Sequence, residues 1–342
     1  MNMKKVSIIA EIGVNHNGDI DLARQMIDQA AACGVDYVKF QTFTSEKLAS
    51  VVAPKADYQI NNTNTSGSQF EMLKKLELDV DAHYILQEYC KNKGVTFLSS
   101  AFDLKSLELL HKMDLPIFKI PSGEITNYPY LKGIAKFKKP VILSTGMATL
   151  EEIEATVGVL LENGLNHESV TLLHCNTEYP TPFEDVNLFA MQKLAETFKM
   201  PVGYSDHTIG SEVAIAAVAL GAQVIEKHFT IDQNLPGPDQ KASMEPREFK
   251  RMVESIRNIE KAISGSGEKT PSKSETKNIV VARKSLHLTA NLEAGTKIEE
   301  KHLIALRPAG GISPMQWNKV IGRTINKALK QGHQLKLEDL SV

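Results

Sequence analysis

The chain is poor in cysteine, in net charge and in any cationic or apolar leader, and each shortage removes a class of function. Its three cysteines, Cys33, Cys90 and Cys175, are scattered without metal-ligand spacing, so neither a disulfide framework nor a thiolate metal site is expected. A formal net charge of -2 gives no basic field for nucleic acid and no charged face for a membrane surface. The opening MNMKKVSIIAEIG reaches a glutamate too early for a signal peptide, which makes the cytoplasm the expected compartment. Cys33 lies in the amphipathic stretch DLARQMIDQAAACG, where it reads as a small buried hydrophobe, and none of the three thiols is given a catalytic role.

With 342 residues, 42% of them hydrophobic and 23% charged, the chain can hold a barrel of about 250 residues and a small appendage. Short apolar runs alternate with amphipathic stretches as far as residue 264. Eight of them read as strands: VSIIA (6–10), YVKFQ (37–41), VTFLS (95–99), IFKI (117–120), PVILS (140–144), VTLLH (170–174), PVGYS (201–205) and QVIEK (223–227). Eight βα units predict a closed (β/α)8 TIM barrel over 1–264. Gly34 and Gly164 stop two of the intervening helices, and Thr149 caps one of them. Between the second and third strands, TSEKLASVVAPKADYQINNTNTSGSQFEMLKK is longer than an ordinary βα loop and is expected to act as a lid. A Gly/Ser/Lys/Thr-rich stretch, 265–282, reads as a linker. The turn-rich 283–342 reads as a second small domain, too slight to bury much core alone and therefore expected to dock on another surface.

Polar residues gather at the carboxyl end of each strand: Glu11 with Asn15 and His16, Lys39 with Gln41, Ser99 with Ser100, Lys119 with Ser122 and Glu124, Ser144 with Thr145, His174 with Asn176 and Tyr179, Ser205 with Asp206 and His207, and Glu226 with Lys227 and His228. In a parallel barrel those ends share one mouth, so the agreement across eight units predicts an active site there. Lys39 and Lys119 are costly to desolvate unless an anion, or one of Glu11, Glu124 and Glu226, pairs with them. His207 and His228 are read as ligands of a divalent metal, with Glu226, water and substrate oxygens to complete its shell; hydrogen bonding or proton transfer without metal is the competing role. Asp206, facing away from its neighbour, is expected to support His207. His16 and His174 either hold loops or touch substrate, Tyr179 either packs or presents its hydroxyl, and Asp239 in LPGPDQKAS either holds sugar hydroxyls or faces solvent.

Taken in order, AEIGVNHNG, VKFQT, FKIPSGEITNYPYL, VILSTGM, LLHCNTEYPTPFEDVNL, GYSDHT, VIEKHFT and GPDQKASMEP resemble the sialic acid (nonulosonic acid) synthase family over nearly the whole chain. The resemblance implies a TIM barrel joined to a C-terminal antifreeze-like (SAF) domain. It implies a metal-dependent condensation of phosphoenolpyruvate with an open-chain N-acyl hexosamine, giving a nine-carbon 2-keto acid and phosphate. Lys39, Lys119, Ser122, Ser144 and Ser205 would then hold phosphoenolpyruvate, Ser100 would supply a hydroxyl where a threonine is usual, and His207 and His228 would bind Mn²⁺ or Mg²⁺. Gln41, Tyr179 and Asp239 would fix the sugar. Glu11 and Glu124 would handle charge and the water proton, with Glu124 favoured for the proton. In the family's domain-swapped homodimer an arginine of the antifreeze-like domain reaches the sugar N-acyl group, which carries over to Arg307 in LRPAGGIS. KFQTF, IPSGEITN and EKHFT are closer to N,N'-diacetyllegionaminate synthases than to N-acetylneuraminate synthases, and the acceptor stays open among N-acetylmannosamine, its 6-phosphate and 2,4-diacetamido-2,4,6-trideoxymannose. A metal-dependent barrel hydrolase would show more metal ligands, and a non-catalytic carbohydrate-binding protein leaves the lysines and histidines unexplained.

Overall fold

The computed structural model describes residues 5–63 and 67–341, and Asn64, Thr65 and Ser66 of the polar run in the long loop lie outside them. Two compact units emerge, 1–265 and 266–342.

In the first unit, β1 (Ser7–Gly13), β2 (Tyr37–Thr42), β3 (Thr96–Ala101), β4 (Phe118–Ile120), β5 (Val141–Ser144), β6 (Val170–Cys175), β7 (Val202–Asp206) and β8 (Val224–His228) pair in sequence order, and β8 returns to β1 to close the barrel. All pairs are parallel, with Ser7 opposite Val224 and Glu11 opposite His228 at the closure. Period-two alternation explains both faces. Ile8, Ala10, Ile12, Val38 and Phe40 point outward into the core beneath the helices, whereas Ile9, Leu98, Ile142, Leu173 and Val224 form a separate apolar plug inside the barrel. At Gly203 a Cβ would meet the Val224 carbonyl oxygen at 2.4 Å, so that plug has room only for glycine there.

The helices follow the sequence signals. Asp19 accepts from the Asp21 and Leu22 amides at the start of Ile20–Ala32, and Gly34 follows it at φ +81°. Thr149 and Glu152 form a capping box on Leu150–Glu162. The last barrel helix, Pro246–Ala262, starts on proline and buries Phe249, Met252, Val253 and Ile256, one face of its helical repeat. The long loop after β2 folds into the short helices Ser45–Leu48, Asp57–Thr63 and Gln69–Lys74, and its Leu73 and Leu76 join Val14 and Phe43 in a small satellite core.

The second unit differs from expectation in two ways. Its start, expected as a linker, carries the helix Lys273–Ala282, nucleated by a Ser272–Glu275 capping box. It also buries a core of its own, with Leu286, Leu288, Ile298, Ile325 and Leu335 at 1% exposure or less. Backbone pairing gathers that core: β9 (Ser285–Leu288) lies antiparallel to β10 (Leu303–Leu306), and isolated bridges tie Leu292 to Leu329 and Ile325 to Leu340. Trp317 and Leu340 pack against it.

Candidate active site

Two residues beyond each apolar plug position, the same inward face turns polar. Ile9 is followed by Glu11, Tyr37 by Lys39 and Gln41, Leu98 by Ser100, Ile117 by Lys119, Ile142 by Ser144, Leu173 by Cys175, and Val224 by Glu226 and His228. These side chains, with Ser122, Tyr179, Ser205, His207 and Asp239, line one cavity of about 290 Å³.

At its floor two lysines and two glutamates interlock. The Lys39 ammonium lies 2.6 Å from Glu11 Oε2 and 3.7 Å from Glu226 Oε2, and Lys119 lies 3.6 Å from Glu226 Oε1. Lys119 donates to Ser144 Oγ at 2.7 Å, Lys39 to Ser100 Oγ at 3.3 Å, and Ser205 Oγ to Glu226 Oε1 at 3.0 Å. Burial raises Glu226, but Lys119 and Lys39 together outweigh it and hold the carboxyl at about 2. Burial lifts Glu11 to about 7, because the Lys39 charge that opposes it is shared with Glu226, whose own charge adds to the rise. Lys119 is lowered by burial and Lys39 is raised, burial there being outweighed by the two glutamates. When Glu11 is protonated the cluster carries surplus positive charge, which suits an anion. Ser122 Oγ accepts from the Gly146 amide at 3.0 Å beside Cys175 Sγ.

Higher in the cavity the His207 and His228 rings lie 5.5 Å apart. His207 Nδ1 is 2.5 Å from the Asn176 carbonyl, which can only accept, so the proton sits on Nδ1 and Nε2 keeps a lone pair. Among the described residues buried His228 Nδ1 has no hydrogen-bond partner. Burial lowers His207 to about 4 and, with His207 beside it, drives His228 well down, so both rings are neutral at pH 7. Among the described residues no three His, Cys, Asp or Glu side chains converge as a metal centre. Two neutral imidazoles fit a first-row divalent ion, whose remaining positions substrate and water would have to fill. Glu226 does not join the two rings in such a group; its Oε1 accepts from Ser205, and its Oε2 lies 3.7 Å from the Lys39 ammonium. Tyr179 stacks on His207 at 4.1 Å and meets His228 edge-on at 5.4 Å.

Behind the loop, Asp206 accepts from the Thr208 amide and hydroxyl at 2.9 and 2.7 Å and pairs with fully buried Lys227 at 2.7 Å, which holds the turn that carries His207. His174 Nε2 bonds the Val186 carbonyl and His16 Nδ1 accepts from the Gly18 amide, so both hold loops. Asp239 lines the cavity, and burial raises it to about 6.

One expected site residue lies elsewhere. Glu124 does not line the cavity. It ends the 3-10 turn Ser122–Glu124, where two residues correspond to about 240° of rotation, so with Ser122 facing inward Glu124 turns away. There it accepts from Asn127 Nδ2 at 2.5 Å, and burial raises its pKa. Arg307 belongs to the second unit, at the end of β10. Sequence reasoning also passed over residues the cavity contains. Glu226, expected as a partner for the lysines, which it is, or as a metal ligand, was not expected to act on substrate, and the apolar side chains from the long loop carry no polar signal by which to find them.

The NeuB family model matches residues 26–269 and the SAF domain model residues 283–341. The chain belongs to the NeuB family. Over 334 residues, 98% of this NeuB-family chain and 100% of the relative, it is 52% identical to an N,N'-diacetyllegionaminic acid synthase of Campylobacter jejuni. It is 46% identical to the enzyme of the same name from Legionella pneumophila, over 97% of this chain and 94% of that one. Among solved structures, an N-acetylneuraminic acid (sialic acid) synthetase of Leptospira borgpetersenii in complex with citrate superposes with a TM-score of 0.70 at 35% identity, covering 81% of this chain and 90% of that one.

Proposed function

We propose that this NeuB-family enzyme condenses phosphoenolpyruvate with an open-chain N-acyl aminosugar to a nine-carbon 2-keto acid and phosphate, and that the acceptor is the 2,4-diacetamido-2,4,6-trideoxymannose that leads to N,N'-diacetyllegionaminate. The observation that carries the reading is the cavity floor, where Lys39 and Lys119 sit among Ser100, Ser122, Ser144 and Ser205 as an anion cradle directly below two neutral imidazoles. The legionaminic acid synthase relatives support the acceptor.

In this reading the lysines and hydroxyls grip the phosphate and carboxylate of phosphoenolpyruvate. Mn²⁺ or Mg²⁺ held by His207 and His228 would supply Lewis acidity at the aldehyde oxygen. C3 of phosphoenolpyruvate attacks the aldehyde carbon, whose oxygen takes up a proton from solvent, and positive character develops at C2. Glu226, ionised beside the lysines, stabilises that charge. Water adds at C2 and gives its proton to Glu11. The resulting hemiketal phosphate collapses with C–O cleavage, leaving the keto group and inorganic phosphate. Gln41, Tyr179 and Asp239 position the sugar. The active assembly is proposed as a domain-swapped homodimer in which Arg307 of one subunit serves the other's barrel. Exposed Met147, Phe183 and Ile209 on the loops after β5, β6 and β7, and Phe189 at the start of the helix Phe189–Phe198, support it, since they give the barrel mouth an apolar rim for a covering partner.

The test is phosphate release from phosphoenolpyruvate with Mn²⁺ and each of the three candidate sugars, with mass detection of the product. A nine-carbon acid formed from the trideoxy sugar and lost on chelation is expected. Silence with all three sugars overturns the condensation, and turnover that survives chelation overturns the role of His207 and His228.

A further inference from the structure

The cavity is charged at one end and apolar at the other. Among the described residues its only lysine or arginine side chains are Lys39 and Lys119 on the floor. The opposite wall is built by Leu48, Met72, Leu73 and Leu76 of the long loop after β2, closed by Val14 and Phe102. Gln59 and Gln69 add carboxamides to it, and the Ala56 amide engages Gln59 Oε1, leaving the Gln59 NH₂ as a donor.

We propose that this wall determines acceptor specificity: it selects a sugar whose far end carries a methyl group and acylated amines in place of hydroxyls or a phosphate. The proposal rests on the condensation reading, because phosphoenolpyruvate on the cationic floor leaves the aldehyde above it and directs the rest of the sugar chain toward the loop. A methyl group there removes apolar surface from water on both partners. A hydroxyl in its place meets carbon on several sides, and a hydrophobic pocket rejects an added hydroxyl by about 10²-fold. A phosphate dianion meets no lysine or arginine among the described residues of this wall and is excluded more strongly. Secondary amides find matching donors and acceptors in the glutamine carboxamides.

The experiment measures kcat/KM of the full-length enzyme for 2,4-diacetamido-2,4,6-trideoxymannose, N-acetylmannosamine and N-acetylmannosamine 6-phosphate, in the wild type and in Leu48→Asn and Met72→Gln. Both positions are half-buried, and both replacements are close in size to the residue removed. The wild type is expected to prefer the trideoxy sugar over N-acetylmannosamine by about 10²-fold, and the variants to narrow that ratio about 10-fold. Damage to the fold lowers all acceptors together and leaves the ratio in place, so a change in the ratio reports the wall itself. A wild-type preference for either hydroxylated sugar, or a ratio that stays within twofold in both variants, overturns the wall while leaving the condensation standing. Absence of turnover with every acceptor overturns the condensation reading and this inference with it.

Discussion

Glu11 has the nearer ammonium, 2.6 Å away, and is nevertheless the weaker acid of the buried pair. Both are fully desolvated, but Glu226 faces two lysines and a serine donor, whereas Glu11 shares its one lysine. A carboxyl lifted from 4.5 to about 7 is poised to take a proton from water near neutral pH. Its stability contribution follows the same sign. The folded chain prefers Glu11 protonated, so that contribution is whole below 4.5 and is lost as pH rises through about 7. Glu226, depressed to about 2, contributes above 4.5 and loses its share as pH falls through about 2. For catalysis, Glu11→Gln should lower kcat by about 10²–10⁴-fold. The wild-type profile of kcat against pH should rise through about 7, and the variant's residual activity should lack that rise. A rise that persists in Glu11→Gln would assign it to another group.

At the scale of elements, what was legible in the sequence was whatever repeats. Alternation along eight strands placed the apolar faces, and the last inward residues Glu11, Lys39, Lys119, Ser144 and His228 could be named because a strand's period of two leaves one choice of face. The failures come where the period changes. Glu124 sits only two residues past a cavity serine, but it follows the end of β4, and the tighter 3-10 turn carries it off the cavity. The wall of the long loop escaped notice because apolar residues in a loop look like core until a cavity opens beside them. The 283–342 stretch read as too slight to bury much core alone because its leucines and isoleucines are spaced by turns rather than by any helical or strand period, and only pairing between distant segments joins them. That core has a built-in reporter, since Trp317 is the sole tryptophan of the chain and packs on it. Buried Asp339 accepts from His333 Nε2 at 2.8 Å and from the Lys336 amide at 2.9 Å, with the Lys327 ammonium 2.8 Å away. Burial works against its charge, but these partners outweigh burial and hold it at about 2. The stability it gives is therefore present above 3.8 and lost as pH falls through about 2. Tryptophan fluorescence of the full chain in urea should show Asp339→Asn unfolding earlier at pH 7 by about 1–3 kcal/mol, with less acid sensitivity than the wild type. Coincident curves at pH 7 and in acid would remove Asp339 from the stability of this unit.

For the whole molecule, two units with separate cores mean that the chain can distribute its functions between subunits without losing the fold of either. The proposed swap makes a quantitative demand. Co-expressed Arg307→Ala and Lys39→Ala chains pair at random, so half the dimers contain one of each. In such a dimer the barrel that keeps Lys39 receives Arg307 from its partner, while the other barrel lacks both residues. One site in four is then complete, and activity should return to about a quarter of the wild type although each variant alone is impaired. If Arg307 acts within its own subunit, no pairing of these two chains assembles a complete site, and the mixture should give only the average of the two variants. Size-exclusion chromatography with light scattering on the same samples supplies the second arm, because a chain that is monomeric at assay concentration, yet fully active, cannot use a partner's arginine.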